Sequence, residues 1–210
     1  LPDDLRIAGC KTVADWKAMR ARLDGSNDAN LWTEAFEDFF EARLDSRYFA
    51  PIRVLEAMKV YDGEGFSIVT LHCSLIEFLA STLEGKSYRF RRKGDRPLGE
   101  FEYSDSKDMF TCFLRQQVPF NEAFSEDKKA RDFYGSVRCG LLHEARTKNG
   151  WRIRADTVAR VAIDADAKIV YGNKMRDAFN GFLKWYGETL PRDASLQEAF
   201  VRKFDSLCID

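Results

Sequence analysis

The chain has 210 residues, 45% of them apolar and 13% aromatic, with 17 Phe; that is enough side chain for one core and excludes a disordered or linker-like polymer. With 33 basic against 34 acidic residues the formal net charge is -1, so no global field draws the protein to nucleic acid or membrane, and any such attraction has to be local. Five Cys, odd in number and without a C-x-x-C pair, and only two His argue against a disulfide framework, a zinc site or a multi-histidine centre; the expectation is a cytoplasmic protein with no metal and no cofactor.

Residues 12–23 and 30–49 are rich in Ala, Leu, Glu, Arg and Phe, carry Trp32, Phe36 and Phe39 or Phe40 at helical spacing, and are separated by Asp24-Gly25-Ser26-Asn27-Asp28. Pro51 is placed to open a further short helix to residue 60, since proline fits a first turn. Residues 66–84 repeat Val69, His72 or Cys73, Ile76, Leu79 or Ala80 and Leu83 at intervals of three or four, which predicts a buried central helix stopped by Gly85. Its apolar part, 66–80, is broken by His72, Ser74 and Glu77 and reads as too short and too polar to span a bilayer. His72 is expected to be a hydrogen-bonded core residue.

Residues 86–104 read as a polar loop holding Lys86, Arg89, Arg91, Arg92, Lys93 and Arg96, with Tyr88 and Phe90 interleaved. Cations beside aromatic rings suit RNA, and Arg89, Arg91, Arg92 and Lys93 are the candidate phosphate ligands. Helices follow over 106–117 and 125–143, the second opened by Ser125-Glu126-Asp127. The β-branched runs 158–163 and 169–171 bracket Asp164-Ala165-Asp166-Ala167 as a small hairpin. Asn173 caps a helix to about residue 190, and 195–207 closes the chain helically. With no repeat and no long linker, a single all-α domain over 1–210 is expected, with a core at about 28–146, a small β-hairpin insertion at about 151–171 and C-terminal helices at 173–207.

The most informative stretch is Phe133-Tyr134-Gly135-Ser136-Val137-Arg138-Cys139-Gly140-Leu141-Leu142-His143. On an α-helix Phe133, Val137, Gly140 and Leu141 fall within roughly 100° and form a core face. Arg138 and His143 lie outside it on opposite flanks. The sector between them holds Gly135, Cys139, Leu142 and Arg146, too small and apolar for a purely solvated face, and is expected to be a second contact surface, most simply that of a homodimer.

Arg138-x4-His143 resembles the R-x4-6-H motif of the HEPN superfamily, helical-bundle proteins that include many prokaryotic endoribonuclease toxins and defence proteins. The likeness covers residues 66–143, where the motif ends a late helix and follows a long apolar helix carrying Glu77 in Ser74-Leu75-Ile76-Glu77-Phe78-Leu79-Ala80. It implies a HEPN-like helical bundle in which two motif copies meet across a dimer cleft. It also implies RNA as partner, cleaved without metal in a toxin or phage-defence setting. His143 would move a proton at the 2′-hydroxyl or the leaving 5′-oxygen, and Arg138 would stabilise the in-line phosphorane. Glu77 is expected either to orient Arg138 or to face solvent or another helix, with Cys139 a small supporting residue where many active members carry Asn, Asp or His. That departure favours the alternative, a non-catalytic module binding RNA, a nucleotide or a protein such as a nucleotidyltransferase antitoxin. A rival pattern, Asp164-x-Asp166-x-Lys168 with Asp156 upstream, imitates the metal site of restriction-type nucleases, but Asp-Ala-Asp-Ala is better read as the turn of the hairpin.

Overall fold

The computed structural model describes residues 1–58, 63–155 and 158–209. It is mainly helical, 62% of the chain, with small sheets. The expected end of the helix opened at Pro51, and Asp156 of the rival metal pattern, lie outside the described residues.

Strand β1 (Arg6–Ala8) pairs antiparallel with β2 (Lys11–Thr12). Thr12 then caps α1 (Val13–Leu23): its hydroxyl accepts from the Asp15 N–H while the Asp15 carboxylate accepts from the Thr12 N–H, satisfying two donors that a helix start leaves open. Asp28 caps α2 (Ala29–Ala35), and the chain stays helical through α3 (Ala42–Leu44) and α4 (Ala50–Met58), joined by the π-helical stretches Phe36–Glu41 and Asp45–Phe49. The break expected before Pro51 is therefore absent. In the wide turn that precedes it, the Ala50 N–H reaches back five residues to Asp45 O, which gives the proline ring room that a tighter α turn withholds.

The apolar helix α5 (Glu64–Leu83) starts two residues before its predicted span and ends one residue before its predicted end. Among the described residues it is the one helix long and apolar enough, by length and composition, to cross a membrane; 56% of that window is buried inside the protein, as in a core helix. Where a plain loop was expected, β3 (Ser87–Tyr88) and β4 (Glu102–Tyr103) pair in parallel; two-residue strands are too short to show alternation in sequence. Helices α6 (Lys107–Gln116) and α7 (Asp127–Phe133) follow, then a π-helical stretch, Tyr134–Arg138, and α8 (Cys139–Glu144). Glu126, not Ser125, occupies the N-cap of α7, and makes no side-chain cap bond.

The hairpin turn falls where the sequence places it, but β6 (Ile163–Asp164) is shorter than 158–163. Besides pairing antiparallel with β6, β7 (Ile169–Tyr171) pairs in parallel with β5 (Arg152–Arg154), in the order β5-β7-β6. A 3-10 turn, Gly172–Lys174, leads into α9 (Met175–Thr189). Asp193 caps α10 (Ala194–Ser206), accepting from the Ser195 and Leu196 N–H groups.

The chain forms two compact units. The first, Leu1–Pro51, Ser81–Ser104 and Trp185–Asp210, is built on an aromatic core in which the Trp16 ring lies 5.1 Å from both Phe39 and Phe204, and Phe200 lies 4.7 Å from Phe204. The Trp16 indole N–H donates to Asp205 at 2.8 Å, so its polar edge is satisfied. In the second unit, Ile52–Ala80 and Asp105–Lys184, Phe133 packs on Phe124 and Trp151, and Phe113 on Phe182. Asp132 ties α7 to the three-stranded sheet: it accepts from Ser136 Oγ at 2.8 Å and from Trp151 Nε1 and Lys168 Nζ, each at 3.0 Å.

His72 is fully buried in this unit, its ring 5.2 Å from that of Phe179. Contrary to expectation, neither ring nitrogen has a hydrogen-bond partner among the described residues. Burial, helped by repulsion from Arg176, lowers its pKa to about 3 and keeps the imidazole neutral.

Candidate functional site

Phe133, Val137 and Leu141 are buried and anchor the candidate helix. Between Tyr134 and Arg138 the backbone takes the wider π turn, a local unwinding that often accompanies functional positions. Arg138 follows from it: Nη2 donates to Glu77 Oε2 at 2.9 Å, and both side chains are mostly covered. The guanidinium also lies over the Tyr134 ring, 5.3 Å from its centroid, and Nη1 approaches Cys139 Sγ at 3.9 Å. Burial works against the charge, but the Glu77 hydrogen bond and the neighbouring charges outweigh it, and the Arg138 pKa is raised above its ordinary value. Tyr134, fixed by a 3.3 Å bond between its hydroxyl and Ser106 Oγ, belongs to the site although the motif does not include it. Its spacing from Arg138, one helical turn, was the available signal.

His143 stands in the last turn of α8, exposed to solvent and without a hydrogen bond or ion pair to any described residue. Ala145 ends the helix in the left-handed conformation, at φ 52°. The chain then folds back so closely that a Cβ on Gly140 would sit 2.5 Å from the Arg146 carbonyl oxygen; only glycine fits there. This turn corrects one part of the expected contact sector. Arg146 lies beyond the helix end and pairs with Glu144 at 2.8 Å. Gly135, where a Cβ would meet nothing within 4 Å, Cys139 and the 55% exposed Leu142 remain as a small open face.

No family model, no curated protein and no solved structure matches this chain. The chemistry of the site therefore rests on its own geometry. One hydrogen bond to Glu77 leaves Arg138 with further N–H donors for an anion. His143, exposed and without a partner among the described residues, is open to a bound molecule.

The other candidates separate. In the first unit Arg89 Nε donates to Glu102 Oε2 at 3.1 Å, and its Nη2 donates to the Arg96 and Pro97 carbonyls; Arg96 forks onto both Glu102 oxygens at 2.9 and 2.6 Å. Arg89 is thus committed to the loop's own scaffold. Arg91, Arg92 and Lys93 are exposed, and their side chains make no hydrogen bond or ion pair with described residues. The described members of the rival metal pattern are engaged elsewhere: Lys168 pairs with Asp132, Asp166 with Lys129 at 2.7 Å, and Asp164 accepts from the Ala167 N–H inside the turn. Among the described residues no group of three His, Cys, Asp or Glu is arranged to hold a metal ion.

Proposed function

We propose that this protein is a HEPN-like endoribonuclease that cleaves RNA without metal, acting as a homodimer in a toxin or phage-defence setting. What supports this is the Arg138 guanidinium held by Glu77, five residues before an exposed His143 that has no partner among the described residues. In the reaction the RNA 2′-oxygen loses its proton and attacks the adjacent phosphorus, and the 5′-oxygen leaves and takes up a proton, so a 2′,3′-cyclic phosphate and a 5′-hydroxyl result. His143 serves one of these proton transfers. The N–H groups of Arg138 not used by Glu77 stabilise the charge that gathers on the phosphoryl oxygens. A second copy meeting the Gly135, Cys139 and Leu142 face would bring two such pairs together.

Incubation of the purified protein with mixed RNA in EDTA tests this directly. Cleavage with cyclic phosphate ends is expected. It should fall roughly a hundredfold to ten-thousandfold in His143→Ala and vanish when deoxyribose replaces the scissile ribose. Cys139 next to Arg138 favours a second reading, a non-catalytic module that binds RNA, a nucleotide or an antitoxin-like protein; RNA retained but left intact would establish it. Dependence on added magnesium would overturn the metal-free mechanism.

A further inference from the structure

We propose that the segment between β3 and β4 is a binding site for single-stranded nucleic acid, with Tyr88 and Phe90 as stacking platforms for bases and Arg91, Arg92 and Lys93 as phosphate ligands. The backbone is extended where the rings stand: the Ser87 N–H donates to Phe101 O and the Arg89 N–H to Tyr103 O, each at 2.9 Å. The pairing ends at Arg89, so Tyr88 lies on the strand and Phe90 directly follows its last backbone bond. Tyr88 and Phe90 are 56% and 65% exposed, while the Arg89 side chain between them bonds Glu102. Tyr103 meets the Tyr88 ring edge-on at 5.6 Å, and Phe90 has no ring contact with any described residue. Two large exposed rings two positions apart, one on the strand and one just past its last backbone bond, form an apolar surface that asks for a flat partner.

Charge names that partner. The tip is closed by its own backbone: the Arg92 N–H donates to Asp95 Oδ2 at 2.7 Å, the Asp95 N–H to Arg92 O at 3.2 Å, and Gly94 takes φ +97° in the turn. Glu102 is consumed by Arg89, Arg96 and the Gly99 N–H, so it neutralises none of the three tip cations. Free cations following exposed aromatic rings are how sequence-tolerant single-strand sites are built, the rings taking base faces and the cations tracking phosphates. A duplex hides those base faces. A lipid surface fits less well, because Phe90 lies between Arg89 and Arg91 and the tip beyond it is charged rather than apolar.

The test is fluorescence anisotropy with a labelled 12-mer of 2′-O-methyl oligouridylate, which lacks the 2′-hydroxyl nucleophile, so binding is read whether or not Arg138 and His143 cleave RNA. The wild type should bind it, and bind a 12-base-pair RNA duplex more weakly. Phe90→Ala should lower affinity about fivefold to a hundredfold with the salt dependence unchanged, since stacking releases no counterion. The double variant Arg91→Ala/Arg92→Ala should reduce the log–log salt slope by about 1.4, for two phosphate contacts on a single strand. All these residues are exposed, and equal melting temperatures would confirm intact folding. Wild-type affinity in Phe90→Ala, or a duplex bound as tightly as the single strand, would overturn the stacking site. So would a protein that ignores the oligonucleotide and sediments with phosphatidylserine vesicles through Phe90.

Discussion

Arg138 Nη2 donates to Glu77 Oε2 at 2.9 Å across 61 residues of sequence, and each side chain keeps only about a fifth of its surface in solvent. A pair this well covered is costly to halve, because the partner left behind stays charged and poorly hydrated. Glu77→Ala should therefore destabilise the protein by about 1–3 kcal/mol, measured by urea unfolding. It should also lower RNA cleavage, whereas Glu77→Gln, which keeps an acceptor beside Arg138, should recover part of both. Full activity in Glu77→Ala would show that Arg138 needs no such support.

Leu142 is exposed beside the open surface at Gly135 and Cys139. If a second copy covers this face, Leu142→Arg buries an unpaired charge there and should shift the protein to monomers at tens of micromolar, with stability of the monomer nearly unchanged. Light scattering distinguishes the two states, and a monomeric wild type would rule out the dimer.

Gly140 is pressed against the Arg146 carbonyl. A methyl group cannot enter without moving the turn that ends α8, so Gly140→Ala should cost about 1–3 kcal/mol and shift the His143 resonances in an NMR spectrum. Unchanged spectra and melting temperature would mean the turn yields freely.

Glu102 holds the loop of the first unit. Arg96 first, and then the Gly99 N–H, lower its carboxyl pKa to about 2. Glu102→Ala should free Arg89 and Arg96 and make the loop a better protease substrate. Limited trypsin digestion should then cut after Arg89, Arg91 or Arg92 faster than in the wild type, with the rest of the protein intact. Equal rates would show that the strand pairing alone keeps the loop closed.

His72 gives a pH dependence with a definite sign. Its folded pKa, about 3, lies below the ordinary 6.5, so between these values only the unfolded chain takes up the proton. The stability it contributes is complete above about pH 6.5 and declines as pH falls toward 3. Lowering the pH from 7.5 to 5 should cost the wild type about 2 kcal/mol more than His72→Leu, read by urea unfolding at both values. Parallel pH profiles would mean that His72 is protonated in the folded protein.

The helix over 12–23, the buried stripe of Phe133, Val137 and Leu141, and the turn at Asp164–Ala167 were legible in sequence, because composition, periodicity and turn chemistry act between residues a few positions apart. The positions of Arg138 and His143 in the motif, and the presence of Glu77 on an apolar helix, were equally visible as residue types. Tertiary structure alone decided the rest. The π turns that carry the chain past Pro51 and through Arg138 depend on packing, and the parallel pairings β3–β4 and β5–β7 join segments 14 or more residues apart without alternation to announce them. The division of the basic loop into internal and free cations also lay beyond the sequence. Arg89 and Arg91 are the same residue two positions apart, and only the placement of Glu102, brought alongside by strand pairing, binds one and leaves the other to solvent.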